Sequence, residues 1–273
     1  MLEKILTTNS TPFFRRLAVA LPLAALAGGF AGCKDASQPA PETGVGYYPV
    51  AVGNFWVFAV ADTTYSQASG QGAQVVPSVV TASAYQFRET VTQVFTDAAG
   101  QMAYRLVRAR RASAAAVWRD DSVFVLSATP QFVALNRNNT RTLELVFPVR
   151  EGRSWNFNAF NNNFNDTITA ETRRYSRVGQ PFAANGGAGT PAVTYPVTVT
   201  TSNTGSALEN TLLKLRTFDQ VFAKGVGPVF RRRRYLLHYN YTDQATGDQK
   251  FPPNSFSGAS LIRREILLDY GPR

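Results

Sequence analysis

Few side chains in this sequence are suited to chemistry, because its 273 residues include one cysteine, Cys33, and one histidine, His238. Zinc sites of the usual nitrogen and sulfur type cannot be assembled from one residue of each kind. A Ser-His-Asp triad would have to use His238, and the chain has no Gly-x-Ser-x-Gly sequence to accompany it. In its strand-like segment His238 falls on the side opposite Tyr235 and Leu237, so we expect a surface histidine rather than a base or ligand.

Carboxylates are the remaining candidates for catalysis. Asp120 and Asp121 lie in a sequence typical of a tight turn, Arg119–Ser122, between strands predicted over Ala114–Arg119 and Ser122–Ala128. Glycosidase chemistry needs two carboxyl groups about 5 to 9.5 Å apart across a cleft, and adjacency in a turn does not provide this. An enzyme would therefore need two scattered acids to converge. The candidates are Asp120, Asp121, Glu144 and Asp166.

The asparagine-rich segment Asn161–Asp166 offers oxygen atoms that could bind a metal ion. A calcium loop needs alternating Asp or Asn residues with a closing Glu, and this segment lacks that spacing. We interpret it as a polar loop. The sequence as a whole predicts no cofactor and no metal site.

Cys33 follows a segment with the three parts of an export signal. A leader with Lys4, Arg15 and Arg16 precedes an apolar stretch, Leu17–Phe30, which is shorter than the roughly 20 residues needed to span a bilayer. The sequence Phe30-Ala31-Gly32-Cys33 resembles the lipobox of lipoprotein signal peptidase substrates, which usually has Leu where Phe30 stands. We predict that residues 1–32 are a signal peptide and that Cys33 is lipidated. The alternative is an ordinary secretory signal followed by an unpaired thiol.

Lipidation of Cys33 would anchor the chain to a membrane, because each buried methylene of an acyl chain such as palmitate contributes about 0.8 kcal/mol. Lys34 and Asp35 resemble the residues that follow the cysteine in lipoproteins sent to the outer membrane. They also resemble, in part, the surface-export tags of Bacteroidota lipoproteins. We expect the protein at the cell outer membrane, with the periplasmic and surface sides both open. Residues 33–46 have Val45 as their one large apolar side chain and are predicted to form a flexible tether.

From Tyr47 onward, runs rich in Val, Thr, Tyr, Phe and Trp alternate with clusters of Gly, Pro, Asn and Asp. This pattern indicates strands and turns. Tyr85, Phe87 and Val91 alternate with polar residues, which predicts a sheet with one packed face and one solvated face. We predict a single all-β domain over residues 47–273. Its fold would be a curved antiparallel sheet of roughly 11–13 strands, either a half-barrel or a two-sheet sandwich.

Two segments of the domain repeat one pattern. Tyr48–Phe58 and Phe147–Phe157 share an aromatic residue followed by Pro-Val, then Gly, then Trp and Phe, at identical spacing and an offset of 99 residues between Trp56 and Trp155. Proline restricts the backbone before a turn, glycine permits a left-handed residue, and tryptophan begins a strand with a large buried side chain. The repeat predicts either duplicated halves, 47–146 and 147–273, or two equivalent corners of one sheet.

These two segments, together with the later Val221–Val229, resemble a group of uncharacterised Bacteroidota lipoproteins. In that group an aromatic-Pro-x-x-x-Gly-x-x-Trp opening and a closing Ala-x-Gly-Val-Gly-x-Val sequence recur. The resemblance covers most of the domain and implies an antiparallel sheet of half-barrel type, comparable in shape to lipoprotein-carrier proteins. The group has no assigned catalytic residues to transfer to this chain.

Basic residues are the other conspicuous property of the sequence. The first 32 residues contain three of its 28 basic and one of its 18 acidic residues, so the remainder carries a formal net charge of +8. The densest patch is Arg231–Arg234, in which alternate side chains must point to opposite faces of a strand. We expect Arg231 and Arg233 on the more aromatic face, bridging to acids such as Glu144 or Glu265 or lying along aromatic rings.

This excess of arginine favours anionic partners, namely anionic lipid, acidic polysaccharide or an acidic protein surface. The alternative is a solvated basic face that aids solubility or rests against the membrane. Nucleic acid is not expected for an exported, anchored chain. We predict a noncatalytic binding or structural role with an apolar or anionic envelope ligand. The concave face of the sheet is the expected place for an apolar or lipidic ligand. The alternative is a carboxylate-dependent enzyme acting on envelope glycans, which would show a polar cleft lined by two acids. An outer-membrane pore is a third alternative, opposed by charged residues inside many strands.

Overall fold

The computed structural model of the protein describes residues 43–161, 171–185, 192–203 and 210–272. Within these ranges the secondary structure is β-strand apart from two short 3-10 turns, Val45–Tyr47 and Gly72–Gln74. The strands are β1 (Phe55–Tyr65), β2 (Val80–Thr96), β3 (Met102–Arg111), β4 (Arg119–Ala128), β5 (Phe132–Arg137), β6 (Thr140–Val146), β7 (Ser154–Asn156), β8 (Thr172–Ala184), β9 (Val193–Ser202), β10 (Lys214–Ala223), β11 (Gly227–Leu237), β12 (Tyr241–Thr242), β13 (Gln249–Lys250) and β14 (Leu261–Gly271).

Twelve strands form one antiparallel sheet in the order β6-β5-β4-β3-β2-β1-β14-β11-β10-β9-β8-β7, and β12 and β13 form a separate hairpin. The sheet curves into a nearly closed barrel, which confirms the predicted all-β curved sheet in its barrel form rather than as a two-sheet sandwich. Each half of the chain contributes six neighbouring strands. The halves meet where β1 pairs with β14.

The edge strands of this sheet approach each other at a seam. The backbone N–H of Leu143 in β6 donates to the carbonyl oxygen of Phe157 at 2.9 Å, and the indole Nε1 of Trp155 donates to the carbonyl oxygen of Leu143 at 2.9 Å. Further along, the hydroxyl of Tyr175 accepts from the N–H of Val146 at 2.8 Å and donates to its carbonyl oxygen at 2.9 Å. The side chains of Trp155 and Tyr175 therefore form hydrogen bonds with backbone groups at the edge of β6, which in a continuous sheet would pair with a neighbouring strand.

The two repeated segments form the same turn. In the first copy the N–H of Asn54 donates to the carbonyl oxygen of Ala51, and in the second the N–H of Arg153 donates to that of Arg150, both at 3.1 Å. These donors and acceptors are related by the same offset of 99 residues that relates the two tryptophans. The repeat in the sequence is thus a repeat in local backbone geometry.

The glycine of each copy also bonds to the next strand in the same way. Gly53 donates its N–H to Val91 of β2 at 2.8 Å, and Gly152 donates to Tyr175 of β8 at 3.0 Å. Both glycines have positive φ, 95° and 75°, which other residues rarely adopt. Each copy therefore begins a six-strand half of the sheet. Duplication of the two halves stays a prediction that this equivalence favours.

Trp56 of the opening segment packs against the closing segment at one end of the barrel, which we call the closed end. Its indole Nε1 donates to the carbonyl oxygen of Val226 at 2.6 Å. Gly227, with φ of 104°, lies so close that a Cβ built there would stand 2.8 Å from that nitrogen. The ring of Tyr48 lies 5.6 Å from Trp56 and 5.7 Å from the ring of Phe222. Two sequence motifs thus meet in one aromatic cluster.

The predicted turn at Asp120 and Asp121 is wrong, because both residues lie in β4, where Asp120 pairs with Ala109 of β3. The predicted strand Ala114–Arg119 is wrong as well, since the chain turns there and β4 begins at Arg119. The reason is strand register. Pairing with β3 extends β4 back to Arg119, and the chain turns in the preceding alanine-rich stretch, residues 112–116, instead.

Glu42–Arg273 form a compact folded unit, in which the described residues begin at Thr43. Thr43 lies at the closed end, where its carbonyl oxygen accepts from the N–H of Val149 at 3.1 Å. Cys33 and the predicted signal peptide fall outside the described residues, as does Asp166. No helix in the described ranges has the length and apolar character needed to cross a membrane.

Candidate anion-binding site

Arg231 is the centre of an ionic cluster inside the barrel. Its Nη1 donates to an oxygen of Glu89 at 3.1 Å and to one of Glu265 at 3.0 Å, and its Nη2 donates to the second oxygen of Glu89 at 3.0 Å. Strands β2, β11 and β14 supply these three residues. All three are buried, Glu89 with 1% of its surface exposed. The alternation of side chains along β11 thus places Arg231 in the interior of the barrel.

Two arginines hold Glu89 of this cluster in its ionised form. Burial alone would raise its pKa, but the guanidinium groups of Arg231 and Arg108 outweigh burial and hold the pKa well below its usual range. Arg108 donates to Glu89 through Nε at 3.1 Å and Nη2 at 2.5 Å. Glu89 is therefore an ionised carboxylate at neutral pH.

A cavity opens from this cluster toward the end of the barrel where β11 ends and β14 begins, which we call the open end. We name it the arginine cavity; its volume is about 70 Å³. Its lining includes five arginines and only one carboxylate. The lining residues are Arg108, Arg137, Phe218, Arg231, Arg233, Arg263 and Glu265.

Arg233 differs from the other arginines of this cavity. Within the described residues it donates no hydrogen bond and forms no ion pair, and its nearest ring, that of Phe218, lies 5.6 Å from the guanidinium carbon. The side chain is solvent-exposed yet recessed between the barrel walls. Partial desolvation by the cavity walls and the nearby charge of Arg137 lower the pKa of Arg233 to about 10, so the group stays cationic at neutral pH.

Arg137, at the end of β5, is only partly neutralised. Its nearest carboxylate oxygen, from Glu144, lies 3.8 Å away, and its guanidinium lies 5.4 Å from the centre of the Phe124 ring. Its buried Nε has no hydrogen-bond partner among the described residues. Burial and neighbouring arginines lower the pKa of Arg137 despite the attraction of Glu144. A second guanidinium group therefore faces the cavity with unused hydrogen-bonding capacity.

A wider space of about 510 Å³, which we name the outer cavity, adjoins the arginine cavity through the shared residues Phe218 and Arg233. Arg173 lies between the rings of Phe157 and Phe218, with its guanidinium carbon 4.0 Å from each ring centre, and forms an ion pair with Glu171. The remaining wall includes Tyr235, Leu261 and Ala259. Aromatic and cationic groups thus line the outer cavity together with Glu171.

The structure confirms the predicted side-chain orientation in Arg231–Arg234, with Arg231 and Arg233 pointing inward. Arg231 bridges to Glu265, and its guanidinium carbon lies 4.7 Å from the ring centre of Phe58, as predicted for the inward pair. Arg232 lies on the outer face, where it pairs with Asp219 at 2.8 Å. The chain therefore offers a natural comparison between adjacent inward and outward arginines.

The four candidate catalytic acids do not form one site within the described residues. Asp120 and Asp121 line a separate cavity between β2, β3 and β4. Glu144 is buried inside the barrel, where it accepts a hydrogen bond from Thr142 at 3.0 Å and pairs with Arg137. Asp166 is outside the described ranges.

Glu89 is the main site residue that the sequence analysis missed. The sequence does contain a signal for Glu89. It continues the alternation that places Tyr85 and Phe87 on the packed face, and an acid at such a position needs a buried cation as its partner. His238 lies just after β11 and bridges to Phe256, with the two ring centres 5.4 Å apart. Among the described residues no group of three or more His, Cys, Asp or Glu side chains is arranged to hold a metal ion.

Comparison with protein-family models, with curated proteins and with solved structures found no match to this chain.

Proposed function

We propose that this protein is a lipid-anchored cell-envelope protein with a noncatalytic binding role, and that it holds an anionic ligand in the arginine cavity. The anchor is Cys33 and the expected membrane is the outer membrane, as in the lipoproteins that the repeated segments resemble. The observation that carries the proposal is Arg233, a recessed cation without an ion-pair partner among the described residues. An anionic ligand would supply that partner.

The energetics of the cavity support this role. An arginine held in a recess loses part of its hydration without gaining a counter-charge, which is unfavourable unless a partner compensates. Arg137 adds a second guanidinium group to the cavity wall, and its nearest carboxylate oxygen in the described chain lies 3.8 Å away. Planar guanidinium groups bind carboxylate and phosphate oxygens through paired, charge-assisted hydrogen bonds. The cavity therefore gains stability from an anion of matching size.

An enzyme would need two converging acids. The four acids predicted from the sequence do not form one site among the described residues, whereas Glu89 and Glu265 converge on the same nitrogen of Arg231 at 3.1 and 3.0 Å. A general acid needs a raised pKa, so that it holds a proton near neutral pH. The pKa of Glu89 is instead lowered by Arg231 and Arg108 despite its burial, and both acids are buried. This chemistry favours binding over glycan hydrolysis.

Replacing Arg233 with glutamine is expected to abolish most anion affinity without unfolding the protein. We would titrate inorganic phosphate and glucuronate into the full-length lipidated protein in detergent at low salt, using calorimetry. The tighter of the two should bind about 10- to 100-fold more weakly to Arg233→Gln, because one or two charge-assisted hydrogen bonds are lost.

The matched control for this experiment is Arg232→Gln, which removes the same charge from the adjacent residue on the outer face. Its anion affinity should change less than about two-fold, since the outward guanidinium does not line the cavity. Binding of neither anion to the parent protein, or equal weakening in both variants, would contradict the proposed site.

The anchor is tested by Cys33→Ser. Without a thiol at this position no acyl chain can be attached, and the domain should move from the membrane fraction to the soluble fraction. Fractionation with immunoblotting would measure this, and mass spectrometry of the parent protein should find the acyl groups on Cys33 as the first residue. A Cys33→Ser protein that remained with the membrane would disprove anchoring through this residue.

A further inference from the structure

We propose that the ligand is a phosphomonoester, which enters phosphate first: the phosphate lies in the arginine cavity against Arg233 and Arg137, and the rest of the ligand lies in the outer cavity. This inference rests on the proposed anion-binding function and adds its chemical class and orientation. Three features of the described residues carry it, namely cavity shape, charge and hydrogen-bonding capacity.

The shape of the two cavities favours a ligand with a small head and a larger body. The arginine cavity, about 70 Å³, has room for one compact anionic group. The outer cavity, about 510 Å³, lies within the usual range for small-molecule sites of about 300 to 1,000 Å³. Because Phe218 and Arg233 line both, a single ligand can extend through the two spaces.

The charge at the arginine cavity favours a dianion over a monoanion. Within the described residues four carboxylates pair with the arginines that line this cavity, namely Asp62, Glu89, Glu144 and Glu265. They leave Arg233 without an ion pair, and the nearest carboxylate oxygen to Arg137 lies 3.8 Å away. A phosphomonoester, with a second pKa of about 6, carries nearly two negative charges at neutral pH, whereas a carboxylate carries one.

Hydrogen-bonding capacity points the same way. A guanidinium group has five N–H donors, and none of those of Arg233 is used within the described chain. Arg137 lines the same cavity and also donates no hydrogen bond within the described residues. In contrast, Arg263 already donates two hydrogen bonds to Asp62, at 2.8 and 2.7 Å. The three terminal oxygens of a phosphomonoester can use donors from two arginines, while one carboxylate is satisfied by one arginine.

The outer cavity favours a body with apolar faces. Phe157, Tyr235 and Leu261 contribute apolar surface. The side chain of Asn203, which also lines this space, is already bonded to the backbone of Arg216 and Phe218 at 3.0 and 2.8 Å. Sugar rings and acyl chains both present apolar surface to such walls. The shared chemistry is therefore the phosphomonoester, whether it is carried by a sugar or by a lipid.

The test compares matched probes on the full-length lipidated protein by calorimetry. Glucose 1-phosphate, glucuronate and glucose share a pyranose ring and differ in charge, and dioctanoyl phosphatidic acid carries the phosphate on a lipid. We expect glucose 1-phosphate or the lipid to bind at least about 10-fold more tightly than glucuronate, and glucose not to bind. Arg233→Gln should weaken phosphomonoester binding about 10-fold or more, and Arg232→Gln should not.

The pH dependence separates phosphate recognition from general anion binding. Affinity for the phosphomonoester should fall as the pH is lowered through about 6, where the phosphate gains a proton, while that for glucuronate stays level. Tighter binding of the lipid would identify the source as a headgroup, and tighter binding of glucose 1-phosphate would identify a soluble ester; either supports the proposal. Glucuronate binding that equals or exceeds phosphomonoester binding and depends on Arg233 overturns the phosphate assignment and leaves the anion-binding function intact. Absence of binding by every anion overturns both.

Discussion

Replacing Arg231 with alanine is expected to lower the free energy of unfolding by about 3 to 5 kcal/mol at pH 7. The physical reason is that Glu265 then loses its ion-pair partner and Glu89 loses one of two, while both stay buried. A buried carboxylate without compensation is far more costly than the loss of an exposed pair. Urea denaturation of the two proteins, followed by tryptophan fluorescence, would measure the difference.

Arg232→Ala is the matched control, since it removes an arginine whose side chain is 44% exposed and whose pair with Asp219 lies on the outer face. Its expected cost is about 0 to 1 kcal/mol. Similar losses in the two variants would show that the interior cluster does not stabilise the fold as the contacts indicate.

The effect of Arg231→Ala should also depend on pH. In the parent protein the pKa of Glu89 lies below its unfolded value of about 4.3, so its contribution to stability is present above that pH and is lost as the pH falls. In the variant the carboxylates can accept protons when the pH falls, which removes their buried charge. The stability gap between parent and variant should therefore shrink from pH 7 toward pH 4; a constant gap would contradict the ionic explanation.

Trp56→Ala is expected to destabilise the domain by about 3 to 5 kcal/mol, because a fully buried indole leaves a large cavity at the closed end. The substitution also removes the hydrogen bond to the carbonyl oxygen of Val226. Trp56→Phe, which keeps an aromatic ring without the donor, should lie between the parent protein and Trp56→Ala. Denaturant unfolding followed by circular dichroism avoids loss of the fluorescence signal.

Trp118 supplies the comparison for this experiment. It stacks on the guanidinium of Arg111, 4.2 Å from the ring centre, and it is only partly buried. Trp118→Ala should cost less than about 1 kcal/mol, since stacked cations at exposed sites contribute about 0.5 to 1 kcal/mol. An equal loss for Trp118→Ala and Trp56→Ala would be evidence against the closed end as the main apolar core.

The features that could be predicted from sequence are those with a local cause. Period-two alternation directs Arg231 and Arg233 inward, and the same rule assigns Tyr85 and Phe87 to the packed face. The turns of the two repeated segments follow from the positive φ of Gly53 and Gly152. Each of these features depends on residues only a few positions away in the chain, which is why the fold class can be predicted from the sequence.

The remaining features depend on partners distant in the chain. Arg231 meets Glu89 across 142 residues, and Trp56 reaches Val226 across 170, so neither contact has a spacing signature. The misplaced turn at Asp120 has another cause. Aspartate pairs are typical of turns, but pairing with β3 places Asp120 in β4 instead. Strand register is a property of the assembled sheet rather than of either segment alone.

The pairing of β1 with both β2 and β14 has a consequence for how the domain is made. The first strand receives its second neighbour from a segment about 200 residues later, so the curved sheet cannot be completed during synthesis before Leu261–Gly271 has emerged. Until then β1 and β11 present unpaired edges, which other chains could join. We therefore expect that the unfinished polypeptide must be protected from association with other chains. Truncation within β14 should yield aggregates rather than a smaller folded domain.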